Sequence, residues 1–121
     1  MRILLVDDDT MAATIMSLSL EEAGYEVTLA GDGEEALRIV AGNPAFAAIV
    51  SDLVMPGIDG IELHRQLEAQ GIRAPFVLLS GGNADDLRRR APGVDACLAK
   101  DENIADGIAA AVASVIGAAA R

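Results

Sequence analysis

The chain has no tryptophan, one tyrosine and two phenylalanines among its 121 residues. Its core must therefore be built from Val, Leu, Ile, Met and Ala rather than from stacked rings. A single cysteine, Cys97, excludes an intrachain disulfide and fits a reducing compartment. Cys97 itself reads as a small buried filler. Basic residues are few. Nine Lys and Arg face nineteen Asp and Glu, for a formal charge of −10 and a pI of about 4.3. Nucleic acid repels such a polyanion, so no nucleic-acid partner is expected. Long apolar runs are missing as well. The longest nearly uncharged stretch, Gly107 to Ala120, is too short to span a bilayer and reads as a buried helix. The apolar residues after Met1-Arg2 give way at once to Asp7, unlike a signal peptide. These absences predict a cytoplasmic protein with no membrane contact.

What remains is 52% hydrophobic with a mean hydropathy of +0.36, which describes a folded chain. The length suits one domain over residues 1–121, with no linker or repeat. Short apolar runs alternate with longer amphipathic ones. The apolar runs are Ile3–Val6, Tyr25–Ala30, Phe46–Val50, Pro75–Leu79 and Ala96–Ala99, which read as strands. A first helix spans Met11–Ala23 and stops at Gly24. Asp32 with Glu35 and Asp59 with Glu62 stand in capping-box spacing, so the second and third helices begin there. Asn83 and Asp86 open a short fourth helix that ends before Pro92-Gly93. The fifth starts near Ile104, with Ile104, Ile108, Val112, Val115 and Ile116 as its apolar stripe. Strands separated by helices call for parallel pairing with right-handed crossovers.

In open parallel sheets, ligands bind at the carboxyl ends of the strands. Here those ends carry Asp7-Asp8-Asp9, Asp52, Ser80 and Lys100. Carboxylates at Asp7, Asp8 and Asp52 would repel one another without a cation or a raised pKa. An all-oxygen ligand set suits Mg²⁺, which retains waters and accepts phosphate oxygens. Lys100 can neutralise an incoming phosphoryl group, and the Ser80 hydroxyl and the Gly81 backbone N–H can donate to it. That inventory suits phosphoryl transfer, in which positioning and charge neutralisation dominate.

Four motifs then stand in order at strand ends: Ile3-Leu4-Leu5-Val6-Asp7-Asp8-Asp9, Asp52-Leu53-Val54-Met55-Pro56-Gly57-Ile58-Asp59-Gly60, Leu78-Leu79-Ser80-Gly81 and Leu98-Ala99-Lys100. Over nearly its whole length the sequence resembles the receiver domain of two-component response regulators. The resemblance implies a flavodoxin-like, doubly wound parallel sheet of order 2-1-3-4-5 with helices on both faces. It implies that Asp52 accepts a phosphoryl group from a histidine kinase or a histidine phosphotransfer protein. Mg²⁺ would be held by Asp8, Asp52 and the Val54 carbonyl, with Asp7 acting largely through water. Ser80, Gly81 and Lys100 would contact the phosphoryl group. The domain would be a switch that assists its own phosphorylation and dephosphorylation, not an enzyme acting on others. It would signal to a downstream protein through the face formed by its fourth helix, fifth strand and fifth helix, with a homodimer as an open option.

The family's pattern is not met everywhere. Members usually carry an aromatic residue at the position of Cys97 and a proline, often after a cis bond, at that of Asp101. The stretch from Ser80 to Lys100 also looks slightly short. All three departures fall on the output face, so the usual Ser–aromatic coupling, here Ser80 and Cys97, lacks its ring. The lone His64 reads as solvated, and Arg88-Arg89-Arg90 as a solvated helix end. The small face of the last helix, Ala109, Ala110, Ala113 and Gly117, is a candidate protein contact. The main rival is a haloacid-dehalogenase-like phosphatase built on Asp7 and Asp9. It leaves the Asp52-to-Gly60 motif unexplained, and its own motif breaks at Met11.

Overall fold

The computed structural model describes residues 1–82 and 84–120. Five strands, β1 (Arg2–Val6), β2 (Glu26–Ala30), β3 (Ala48–Asp52), β4 (Phe76–Ser80) and β5 (Ala96–Ala99), form one sheet. All pairings are parallel and the order is β2-β1-β3-β4-β5. The helices are α1 (Thr10–Glu22), α2 (Gly33–Gly42), α3 (Gly60–Ala69), α4 (Ala84–Arg90) and α5 (Ile104–Ala119).

Side-chain alternation along each strand divides the core in two. Ile3, Leu5, Val50, Val77 and Leu79 pack under α1 and α5, against Met16, Leu20, Ile108 and Val112. Leu4, Val6, Ile49, Phe76, Leu78 and Cys97 pack under α2, α3 and α4, against Val40, Leu63, Leu67 and Leu87. Burial on both faces explains why the central strands read as continuous apolar runs rather than alternating ones. The last helix meets this plan, with Ile104, Ile108, Val112 and Val115 buried and Ile116 partly so.

The caps follow the expected chemistry. Asp32 Oδ1 accepts the Glu35 N–H at 2.8 Å, and Glu35 Oε1 reaches back to the Gly31 N–H at 3.2 Å. Asp59 Oδ1 accepts the Glu62 N–H at 2.8 Å. Asp9 caps α1 by accepting from Met11 and Ala12. Asn83, read as part of the opening of α4, lies outside the described residues. Two boundaries moved toward the carboxyl side. β3 runs Ala48–Asp52 and β4 ends on Ser80, because Ser51 and Ser80 are buried strand residues despite their hydroxyls. Ser51 satisfies its own hydroxyl by donating to the Asp52 carbonyl at 2.9 Å. The bond between Lys100 and Asp101 is trans, since no peptide bond among the described residues is cis.

His64 departs from its solvated reading. Its side chain is only 14% exposed, its ring lies 4.8 Å from that of Phe76, and Nδ1 stands 3.5 Å from Glu68 Oε1. The second turn of α3 faces the loop before β5, where Gly93 leaves room for the imidazole. Cys97 is the buried filler expected, and Arg88, Arg89 and Arg90 are exposed in the last turn of α4.

Candidate functional site

The sheet order brings the carboxyl ends of β1 and β3 side by side, since Val6 pairs with Ser51 and the chain then continues to Asp7 and Asp52. Asp7 and Asp52 are buried, whereas Asp8 is exposed. One carboxylate oxygen from each of Asp7, Asp8 and Asp52 lies within 4.8 Å of the others, a group able to hold a metal ion. Asp9, the fourth acid in the neighbourhood, is spent on capping α1, and its N–H in turn binds Asp7 Oδ1 at 2.9 Å. That hydrogen bond fixes the Asp7 carboxylate with its second oxygen facing the cluster.

Lys100 closes the arrangement. It follows β5, two strands away from β3, and reaches across the end of β4 to both buried acids. Its Nζ lies 2.7 Å from Asp7 Oδ2 and 3.1 Å from Asp52 Oδ2. The lysine stem is mostly covered, with the side chain 18% exposed. Burial works against the ammonium, but hydrogen bonds to Asp7 and Asp52 and their charges outweigh it and hold the Lys100 pKa above its ordinary value. Asp52 is pushed the other way. Burial raises its pKa first, Lys100 pulls it down, the Asp7 charge raises it, and the net direction is upward. The Lys100–Asp7 contact at 2.7 Å was not foreseen from the sequence, which assigned Lys100 to an incoming group only.

These observations allow a test of fit for a divalent cation. Three acids and one ammonium leave two formal negative charges in the cluster. Asp7 Oδ2 is buried, and among the described residues the Lys100 ammonium at 2.7 Å is its one counterpart. The donor set is all oxygen. Each feature fits a hard cation such as Mg²⁺.

Backbone geometry holds Asp52 in place. The Gly60 N–H donates to the Leu53 carbonyl at 2.8 Å. A Cβ on Gly60 would come within 2.5 Å of the Asp52 carbonyl oxygen, so only glycine lets α3 start this close to the strand end. Gly57 adopts φ +80 in the preceding turn. The Asp52-to-Gly60 motif is thus a device for positioning one carboxylate. Val54 lies within it, with its side chain 74% exposed. Ser80 is buried at the end of β4, and its Oγ accepts the Gly82 N–H at 3.0 Å. Gly81, beside it, is exposed. Lys100 is anchored to the same place, its N–H donating to the Ser80 carbonyl at 2.7 Å. Cys97 stands apart on the face of β5 under α4, buried beside Arg88, and is not part of the acidic cluster.

The sheet order, the two helical layers and an acidic cluster with its lysine define a flavodoxin-like doubly wound fold with a cation-compatible site. A family model for the response regulator receiver domain matches residues 3–112, and the chain belongs to that family. Receiver domains are phosphoacceptor switches that interact with histidine kinases and downstream effectors. Curated relatives include the response regulator MprA of Mycobacterium leprae, 43% identical over 96 residues, which are 79% of this chain and 41% of that protein. MprA of Mycobacterium sp. strain KMS is 42% identical over 95 residues, 78% of this chain and 40% of that protein. The chain therefore spans about two fifths of the length of these relatives. Among solved structures, the Francisella response regulator 1452 receiver domain superposes with a TM-score of 0.86 at 30% identity, covering 98% of each chain. TrrA of Thermotoga maritima, solved with Mg²⁺ and BeF, gives 0.80 at 32% identity, covering 94% of this chain and 97% of that one. Among the described residues no helix is long and apolar enough to cross a membrane.

Proposed function

We propose that residues 1–121 act as one receiver unit that takes a phosphoryl group onto Asp52 from a histidine kinase or a histidine phosphotransfer protein. One observation carries this reading. The carboxylate oxygens of Asp7, Asp8 and Asp52 meet within 4.8 Å while Lys100 Nζ stands 3.1 Å from Asp52. Mg²⁺ fits the acids, with Asp8, Asp52 and the Val54 carbonyl as ligands and Asp7 acting mainly through water. The cation would neutralise charge on the transferring phosphoryl oxygens.

The chain's own residues do the rest. An Asp52 oxygen bonds to phosphorus as the bond from phosphorus to the donor histidine nitrogen breaks. Lys100 exchanges its contact with Asp52 for a phosphoryl oxygen and keeps Asp7 as its partner. Ser80 turns its hydroxyl from the Gly82 N–H to a second oxygen, and the exposed Gly81 N–H can serve a third. Hydrolysis in the same site would return the domain to its resting state, so it assists both its phosphorylation and its dephosphorylation. A downstream protein reads the change on the face of α4, β5 and α5. The charge of −10 argues against nucleic acid as a ligand of this unit, and a kinase that presents phosphohistidine from the cytoplasm places it there.

Incubation with acetyl phosphate and Mg²⁺ should add one phosphoryl mass to the intact protein. The addition should vanish in Asp52→Asn and without the metal. An unmodified wild type under conditions that label a known receiver would refute the assignment. Sustained release of p-nitrophenol from p-nitrophenyl phosphate would favour the phosphatase alternative.

A further inference from the structure

The loop that follows Asp52 is held at its ends and in its middle. At its start the Leu53 N–H donates to the Leu79 carbonyl at 2.8 Å, and at its end the Gly60 N–H returns to the Leu53 carbonyl at 2.8 Å. Between these points Met55 is buried in the core under α2 and α3, and the half-buried Ile58 packs against the same core. Val54, whose carbonyl is the proposed metal ligand, turns its side chain to solvent. That side chain does little to fix its own backbone, so the place of the carbonyl depends on the residues that follow it.

Two of those residues lean on the first turn of α2. Gly33 opens that helix and is buried. A Cβ on Gly33 would stand 2.5 Å from Ile58 Cγ1 and 2.7 Å from Ile58 Cδ1. Carbon atoms in contact keep about 3.5–4.0 Å apart. The Ile58 side chain thus occupies the space that any other residue at position 33 would fill. One residue on, the Glu34 carboxylate reaches the turn at Gly57, where Oε1 would lie 3.2 Å from a Cβ. Gly57 stands at φ +80, a conformation that strains other residues. The helix start is itself fixed, since Asp32 caps it through the Glu35 N–H at 2.8 Å. A rigid first turn therefore meets the loop at Gly57 and Ile58.

We infer that Gly33 is a positioning residue for the metal: by lacking a Cβ it seats the Ile58 side chain, and that seat sets where the Val54 carbonyl stands relative to Asp8 and Asp52. The inference rests on the Mg²⁺ reading above and adds to it a residue from a helix that supplies no ligand. Mg²⁺ demands near-ideal octahedral geometry at short distance, whereas Ca²⁺ accepts longer bonds and irregular coordination. A loop pushed away from α2 is therefore felt by Mg²⁺ first.

The test is metal affinity, read from amide NMR titrations of the whole chain with Mg²⁺ and, separately, with Ca²⁺. Gly33→Ala should weaken Mg²⁺ binding on the order of tenfold and Ca²⁺ binding by roughly twofold or less. In an Ile58→Ala background the clashing atoms are gone, and there Gly33→Ala should change Mg²⁺ affinity by less than about twofold. Gly42→Ala, at the last position of the same helix, adds a Cβ that meets nothing within 4 Å and should leave both affinities unchanged. If Gly33→Ala does not fold, Ile58→Ala alone carries the test, because emptying the seat should weaken Mg²⁺ more than Ca²⁺. Unchanged Mg²⁺ affinity in Gly33→Ala would overturn the inference. So would an equal loss for both cations, or a loss that persists in full in the Ile58→Ala background. A wild type that binds neither cation at Asp52 removes the metal reading and this inference with it. A wild type that binds Mg²⁺ but is indifferent to Gly33→Ala and Ile58→Ala loses this inference alone.

Discussion

The carboxyl edge of the sheet and the outer edge of β5 are built to different standards. At the carboxyl edge each part is fixed by another. Asp9 binds Asp7, Gly60 packs on the Asp52 backbone, and Lys100 spans the ends of the strands. At the β5 edge the parts are small and loosely committed: a buried Cys97, a seven-residue α4, and an α5 face of Ala, Ser and Gly. Phosphoryl chemistry needs positions held to fractions of an ångström. A protein contact needs only a surface whose shape can be changed. The two edges meet in β5, so on the proposed function the chemistry can be kept while the surface offered to a partner is rebuilt.

Removing the counter-charge should expose this difference most strongly. Lys100→Met leaves Asp7 buried with its oxygen facing only other acids. The metal-free protein should lose about 3–5 kcal/mol, as expected when one member of a buried ion pair is removed, measured by urea unfolding at pH 7. Mg²⁺ should recover part of that loss. Arg88→Met at the other edge removes an exposed charge and should shift stability by roughly 0.5 kcal/mol or less. Equal effects of the two changes would abolish the contrast.

Gly60→Ala tests how tightly the carboxyl edge is built. Its Cβ would meet the Asp52 carbonyl oxygen at 2.5 Å and Leu78 Cδ1 at 2.6 Å, so strand end or helix start must move. A cost of about 1–3 kcal/mol is expected, together with slower labelling by acetyl phosphate. Gly117→Ala, on the open side of α5 where an added Cβ meets nothing within 4 Å, should be neutral or slightly stabilising.

A smaller effect concerns pH. The Asp52 pKa is raised by burial against the partial opposition of Lys100. The unfolded chain therefore loses this proton at a lower pH than the folded one. That linkage makes the metal-free protein less stable as pH rises from the ordinary carboxylate value, about 3.9, through the raised folded value. Asp52→Asn should remove that part of the slope. A melting curve whose pH dependence is unchanged by the substitution would mean that Asp52 does not feel the desolvation of its site.

The contrast between the edges also explains what could be read from the sequence. Asp7, Asp52, Ser80 and Lys100 were legible because each follows an apolar run whose end the parallel fold must place at one edge. The capping pairs at Asp32 and Asp59 marked two helix starts for equally local reasons. Long-range consequences were not legible. The extent of β3 was hidden by Ser51, whose hydroxyl is satisfied within the chain. The covering of His64 depends on Phe76 and on a loop near Gly93, neither close in sequence. The pairing of Lys100 with Asp7 needs the strand order, which places both beside Asp52.

The separation of chemistry from readout is tested most directly by comparing amide NMR spectra of the free protein and of the protein with Mg²⁺ and beryllofluoride, which stands in for the phosphoryl group. The residues around Asp52, Ser80 to Gly82 and α4 should show the large shifts. Cys97 should change little, because a thiol has no ring to move between two packings. A dominant change at Cys97 and its β5 neighbours would contradict the account, and would show that the coupling through strand five survives without an aromatic side chain.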